Sequence, residues 1–447
     1  MNITKSLFFT LTALSATFPA GATDLLEIYH AAQSQDAVFG VARATRQAGQ
    51  EKLPQGRSSL LPSVNLSAND TSNYNSIQYS PPSPIYRSGS NGFNSRGYSI
   101  RLTQPLFNRQ NWVTYTEAEL QVTQADMQLR VAEQDLALRV AQAYFDALMA
   151  QDSVRLAEAQ KLAISEQLEQ AKRSFEVGTV TITDTYEAQA RYDQVIAQEI
   201  TAQSNLEIKK RTLQQLTNVM PGDLRQLGQQ FKLEALQPAD MEKWVDEAQQ
   251  LNPQLAVAQV AVELAGKEVT RNRGGYYPTL DLVADHSVSF VGSANVAGTT
   301  GVSTDSKNNS VAVQLNMPLF QGGATQSKVR EAEANYDRAK EELENARRTA
   351  VLQTRQAYLG VVSGIAQSRA LQQALASSES LLEASKLGQE VGVRTNLDVL
   401  NAQQQLFSTR RDLYQAEYNY LISQLKLKAA AGTLAEDDLA KVNRALY

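Results

Sequence analysis

The residues best placed to do chemistry are two aspartates in matching contexts. Asp184 closes the run Thr181-Ile-Thr-Asp184 shortly after Gly178, and Asp398 closes Thr395-Asn-Leu-Asp398 shortly after Gly392. A threonine three residues ahead of an acid is a capping-box pattern, in which side chain and backbone satisfy each other at a helix start. Glycine just before it is the commonest helix stop. Each aspartate therefore predicts a helix end, a tight turn and a new helix whose start its carboxylate would stabilise. Catalytic alternatives find no support. His30 and His286 fall in an N-terminal helix and a strand, and the sequence has no HExxH, P-loop or GxSxG. Gly-Gly at 274–275 and 322–323 marks helix–strand junctions, and Asp281 and Asp285 alternate onto one strand face as polar wall residues. No enzyme activity, cofactor or resident metal is expected.

The elements that must position these turns occur twice. LPSVNLSAN (61–69), TQPLF (103–107), QAYFDAL (142–148) and EVGTVTITDTYEAQ (176–189) return as YPTLDLVAD (277–285), NMPLF (316–320), QAYLGVV (356–362) and EVGVRTNLDVLNAQ (390–403). Tyr144 falls on Tyr358, Gly178 on Gly392 and Asp184 on Asp398. A duplicated strand-and-helix unit points to quasi-symmetric construction. The copies are not equal, because Val180 stands where the second has Arg394.

Four segments alternate with period two, setting Val64/Leu66/Ala68, Tyr98/Ile100/Leu102, Leu280/Leu282/Ala284 and Val311/Val313/Leu315 against polar neighbours. Each therefore has one apolar and one wetter face. Each pair encloses a long Ser/Asn/Gly/Thr-rich stretch, Asp70–Arg96 and Gly292–Asn309, expected as extracellular loops. Pro62, Pro105, Pro278 and Pro318 bracket the pairs. Between and after the strands run long segments with few Gly and no interior Pro, each on the order of 100 Å if helical. They carry heptads. Tyr115, Val122, Leu129, Leu136 and Ala143 form one seam, with Ala118, Ala125 and Ala132 beside it. The second copy has Val329, Tyr336, Leu343, Ala350 and Ala357, with Ala332, Ala339 and Ala346. Such seams imply coiled-coil packing, and alanine permits close helix approach.

The chain begins with a secretory signal. Lys5 precedes an apolar run from Leu7 to Thr17, then Pro19 and Ala20-Gly21-Ala22, so cleavage after Ala22 is expected. No later run has the ~20 apolar residues of a transmembrane helix. Absence of cysteine removes disulfides and thiol chemistry, and a net charge of −5 gives no basic footprint for nucleic acid. In an exported chain, the alternating strands read as transmembrane β. Four strands do not close a barrel, whose smallest bacterial forms have about eight, and open edges are not tolerated in lipid. Closure needs strands from more than one chain.

The expected organisation is a signal peptide over 1–22 and two repeats. The first, 23–230, has strands at about 61–72 and 95–106 and helices at about 24–58, 108–177 and 182–217. The second, 231–447, has strands at about 278–291 and 309–320 and helices at about 240–274, 323–389 and 396–431.

VGTVTITDTYEAQARYD (177–193), YPTLDL (277–282), PLFQGG (318–323), VGVRTNLDVLNA (391–402) and YNYLISQLKLKAAAGTLAEDDL (418–439) together resemble the TolC family of outer-membrane channel-tunnel proteins, in order across essentially the whole mature chain. The resemblance implies a mainly α fold with transmembrane β. In it, four strands per protomer enter a homotrimeric twelve-stranded barrel, continued by a coiled-coil helical tunnel in the periplasm. It implies a passive exit duct in the Gram-negative outer membrane, bedded in outer-membrane lipid. Its partners would be a periplasmic adaptor (membrane fusion) protein and an inner-membrane ABC, RND or MFS transporter, in efflux or type I secretion. Carried over by position, Thr183, Asp184 and Arg394 would hold the periplasmic aperture closed, and Asp398 would ring it. Gly178 and Gly392 would shape turns that share in adaptor docking. Two positions depart from the family: Asn401 stands where it has aspartate, and Gln389 where it has tyrosine. One ring of carboxylates is lost, so inhibitory cation binding at the Asp398 ring is expected to weaken. The other reading is a non-conducting trimeric coiled-coil structural protein or adhesin with a barrel anchor, which the paired hairpins disfavour.

Overall fold

The computed structural model describes residues 23–82, 85, 88–228, 231, 233–294 and 302–446. The signal peptide expected over 1–22 lies outside the described residues, as do part of the 81–84 PPSP segment and the tip of 292–309. The chain divides into two compact units. One comprises the segment up to Val41, Ala132–Asn252 and the segment from Ala350 onward; the other comprises Ala42–Val131 and Pro253–Thr349.

The second unit holds the strands β1 (Ser63–Ile77), β2 (Gly89–Phe107), β3 (Thr279–Ala294) and β4 (Val302–Asn316), in one antiparallel sheet of order β1-β2-β3-β4. The register carries the alternation across the sheet. Leu66, Ile100 and His286 lie in one row, as do Val64, Leu102, Ala284 and Val311. The opposite face aligns Asn65, Arg101, Asp285 and Ser310. The strands overrun their expected ends. Asp70–Arg96 and Gly292–Asn309, expected as loops, are largely paired, from Asp70↔Arg96 out to Ile77↔Gly89 and from His286↔Asn309 out to Ala294↔Val302. Composition misleads here because hydroxyl and amide side chains support a ladder by bonding across it. Asn73 Nδ2 donates to Ser95 Oγ at 2.9 Å, and the Ser67 and Ser99 hydroxyls lie 2.8 Å apart.

Beside the sheet in this unit, helices approach closely at glycine. The helices α2 (Ala37–Gln50) and α3 (Lys52–Ser58) bring Gly49 and Gly56, seven residues apart, against Ala125 and Ala118 of α4 (Arg109–Glu176). A Cβ on either glycine would stand 2.5 and 2.6 Å from those alanine Cβ atoms. In the other copy, at a position that is not equivalent, Gly266 of α7 (Pro253–Arg273) lies on the ring of Tyr336 in α8 (Ala324–Glu390).

The first unit contains α1 (Leu25–Gln35), α5 (Ile182–Thr217), α6 (Met241–Leu251), α9 (Asn396–Ala430) and α10 (Glu436–Asn443), with the later parts of α4 and α8. The helix expected over 24–58 is three helices. Asp36 ends α1 and caps α2, its carboxylate accepting from the Phe39 N–H at 2.6 Å and from Arg139 at 3.1 Å. The helix expected over 240–274 is broken between Asn252 and Pro253, since proline suits a first helical turn and disfavours helix before it. Antiparallel pairing of α4 with α5 is marked by Lys161–Glu199 and Lys209–Asp146, and of α8 with α9 by Arg410–Glu379 and Gln372–Glu417. The two repeat tyrosines do the same work: Tyr144 donates to the Arg225 carbonyl at 3.0 Å, and Tyr358 donates to that of Ala239. Tyr144 is fully buried beside Phe145, which stacks on Tyr418.

Candidate functional site

Both hairpin turns are built alike from the backbone up. The Gly178 and Thr179 N–H groups donate to the Phe175 and Ser174 carbonyls, both at 2.9 Å; Gly392 and Val393 repeat this on Gln389 and Gly388 at 3.0 and 2.8 Å. Both glycines have φ of +77°, and nothing stands within 4 Å of where a Cβ would be. Conformation, not crowding, requires glycine there. The next helices start on capping boxes. Asp184 Oδ2 accepts from the Thr181 N–H at 2.9 Å, and Asp398 Oδ2 accepts from the Thr395 N–H at 2.9 Å. Each threonine hydroxyl accepts the aspartate's own N–H in return, at 3.4 and 3.2 Å.

The copies then diverge. Arg394 folds its stem over Gly388, where an added Cβ would meet Arg394 Cγ at 2.7 Å, and its Nη1 lies 3.7 Å from Asp398 Oδ1. Ser174 and Val180 hold the corresponding places in copy one. The Thr395 backbone amide, then its hydroxyl and the Arg394 charge, hold the Asp398 carboxyl below the usual carboxylate range. Gln389 donates to Asn396 Oδ1 at 3.4 Å, and Thr183 is exposed on the first turn of α5. Gly388 was missed in the sequence, although a glycine one turn before a helix stop is a readable signal.

Arg191 was also missed. From α5 it reaches across to α9, donating through Nη2 to Asn401 Oδ1 at 3.1 Å and through Nη1 to Gln404 Oε1 at 2.7 Å. A third contact, to Gln194 on its own helix, is 3.3 Å. Asn401 is thus held within the chain by a guanidinium. Beneath this clamp lies a small apolar cluster of Ile164, Leu168, Ala171, Ala188, Val195 and Leu400. Leu400 is its one member from α9. Nearby, Gln167 Oε1, Thr185 Oγ1, Asn396 Nδ2 and Gln403 Oε1 are buried without a hydrogen-bond partner among the described residues. Each such atom costs on the order of 1–3 kcal/mol. In this cluster the first hairpin meets the second through one α9 side chain, beside polar atoms that have no partner among the described residues.

The sheet supplies a second functional surface. Its polar face carries Arg101 Nε 3.2 Å from Asp285 Oδ2, among Asn65, Ser67, Ser99 and Ser287. Its other face leaves Leu66 71%, Val311 76% and Val313 63% exposed, apolar surface of the kind that marks a protein or membrane contact. At the strand end and beyond, Phe107, Trp112, Tyr276, Tyr277 and Phe320 are also exposed, in the manner of an interfacial aromatic girdle. Among the described residues no helix is long and apolar enough to cross a membrane.

A sheet with one apolar face and two open edges, in one chain with two long helical hairpins, defines the class of membrane-inserted channel proteins built from strand-and-hairpin repeats. Comparison with known proteins agrees. The family model described as outer membrane efflux protein matches residues 28–219 and 244–433. The chain is 36% identical to the outer membrane protein TolC of Escherichia coli (strain K12), over 95% of this chain and 85% of that one. It is 34% identical to the alkaline protease secretion protein AprF of Pseudomonas aeruginosa, over 95% and 87%. Among solved structures, CusC aligns with a TM-score of 0.77 at 17% identity, covering 94% of this chain and 95% of that one. This chain belongs to the outer membrane efflux protein family, as an outer-membrane channel of the TolC type. Its place is the Gram-negative outer membrane, with the helical part in the periplasm.

Proposed function

We propose that this protein is the exit duct of a tripartite efflux pump or a type I secretion system. It passes cargo passively from a periplasmic adaptor and an inner-membrane ABC, RND or MFS transporter to the exterior. Three copies each give four strands to a twelve-stranded barrel, and no catalytic step belongs to the chain. The observation that carries this reading is the open-edged sheet. One face is polar enough to line water, the other apolar enough to face lipid, and both edges seek a partner.

The aperture lies at the hairpin turns. Asp398 sets negative charge at the opening, while Arg394, Thr183 and Asp184 hold neighbouring turns, with Gln389 beside them. Gly178 and Gly392 shape the surface that the adaptor grips. Support comes from Arg394 seated over Gly388 and directed at Asp398, the one basic group that the second turn has and the first lacks.

Purified protein in planar bilayers is expected to give discrete pores, blocked from the periplasmic side by a trivalent cation and less so after Asp398→Asn. Absence of any pore would overturn the duct in favour of a barrel-anchored stalk.

A further inference from the structure

We propose that Arg191 is the latch of the aperture: its guanidinium clamps the first hairpin to the second within one protomer by bridging Asn401 and Gln404. The proposal rests on the exit-duct reading. Arg191 lies on α5 between Ala188 and Val195, which pack inward, while Asn401 and Gln404 follow Leu400 by one and four residues on α9. The clamp is therefore the polar rim of the cluster that joins the hairpins near their turns. That cluster takes a single residue from α9, and its surroundings leave buried polar atoms unpartnered. With one α9 side chain in the cluster, a fork of charge-assisted hydrogen bonds on its rim adds a directional hold between the hairpins of one protomer.

The repeat sharpens the assignment. The positions corresponding to Arg191 and Asn401 in the other copy are Gln405 and Glu187. Gln405 instead donates to Thr409 on its own helix at 3.2 Å. Glutamine there lacks the guanidinium fork, so the chemistry of the clamp belongs to one copy of the repeat, as suits a device that releases one hairpin while the other stays put.

Asn401 also acquires a role. A neutral amide accepts a weaker bond from guanidinium than a carboxylate does. Asparagine there sets the latch to be released by modest force. An aspartate introduced there would tighten the latch before it added free charge to the aperture.

The test uses the full-length protein in planar bilayers, with Arg191→Ala, Arg191→Lys, Asn401→Asp and the Arg191→Ala/Asn401→Asp double variant. Arg191→Ala is expected to raise open-state occupancy about threefold to tenfold, the range set by an exposed charge-assisted contact. Arg191→Lys, which keeps the charge and loses the fork, falls between. Asn401→Asp lowers occupancy below wild type, and the double variant loses that lowering, which a merely structural role of either residue would not produce. Wild-type occupancy in Arg191→Ala, alongside a rise in Arg394→Ala, would overturn the latch and leave the duct standing. No pore in any variant or in the wild type would overturn both.

Discussion

Glu417 of α9 is 9% exposed, and its Oε1 accepts one bond, from Gln372 at 3.3 Å. Burial raises its carboxyl above the usual range, and the nearby Asp152 adds repulsion. The folded chain thus holds this proton more tightly than the unfolded one. Stability falls as pH rises from the ordinary glutamate value of about 4.3 towards the raised folded value. Glu417→Gln removes the titration at nearly constant volume. The expected outcome is a thermal midpoint close to wild type at pH 4 and a few degrees above it at pH 7, read by circular dichroism of the detergent-solubilised protein. A lower midpoint at both values would show that the carboxylate is satisfied by the fold. Legibility at this scale follows the range of the interaction. Thr181, Asp184, Thr395 and Asp398 were readable because a capping box is written within four residues. Arg191 was not, since its partners lie on another helix and only the register of α5 against α9 brings them together.

Helix spacing is set by seams of small residues, and Gly56 is a point on such a seam where backbone crowds the place of a Cβ. A Cβ there would stand 2.6 Å from Ala118 Cβ and 3.3 Å from the Thr114 carbonyl oxygen and Tyr115 Cα, so backbone as well as side chain would have to move. Gly56→Ala is expected to destabilise by about 1–3 kcal/mol. Gly40→Ala makes the matched control, because nothing lies within 4 Å of its Cβ position and helix propensity improves by roughly 0.5–1 kcal/mol. Equal urea midpoints for the two variants would mean that the α3–α4 spacing relaxes without cost. The alanine seam was visible in the heptads; its glycine partners on α2 and α3 were not, because only the packing of those helices on α4 sets Gly49 and Gly56 against Ala125 and Ala118. Strand existence was legible from alternation at Val64–Ala68 and Val311–Leu315. Strand length was not, because beyond Asp70 both faces turn polar and the alternation that signals a sheet disappears while the ladder continues.

The proposed assembly of three chains fits what the sheet would have to enclose. Two copies would supply eight strands, and an eight-stranded barrel has an interior just wide enough for side chains to fill. The polar face, which such a barrel would turn inward, carries Arg101, Asp285, Asn65 and Ser287, which need water rather than a packed core. Three copies supply twelve strands, and the wider interior admits water along that face. Each closure also joins β1 of one copy to β4 of the next and removes both open edges, so intermediate oligomers stay exposed to lipid and unstable. Native mass spectrometry of the detergent-solubilised protein is therefore expected to show three chains, with no stable population of two. The complex should persist at high salt, since ladder hydrogen bonds and apolar contact hold it rather than exposed ion pairs. A two-chain complex would leave the polar face buried against itself, and would overturn both the twelve-stranded barrel and the conduit it encloses.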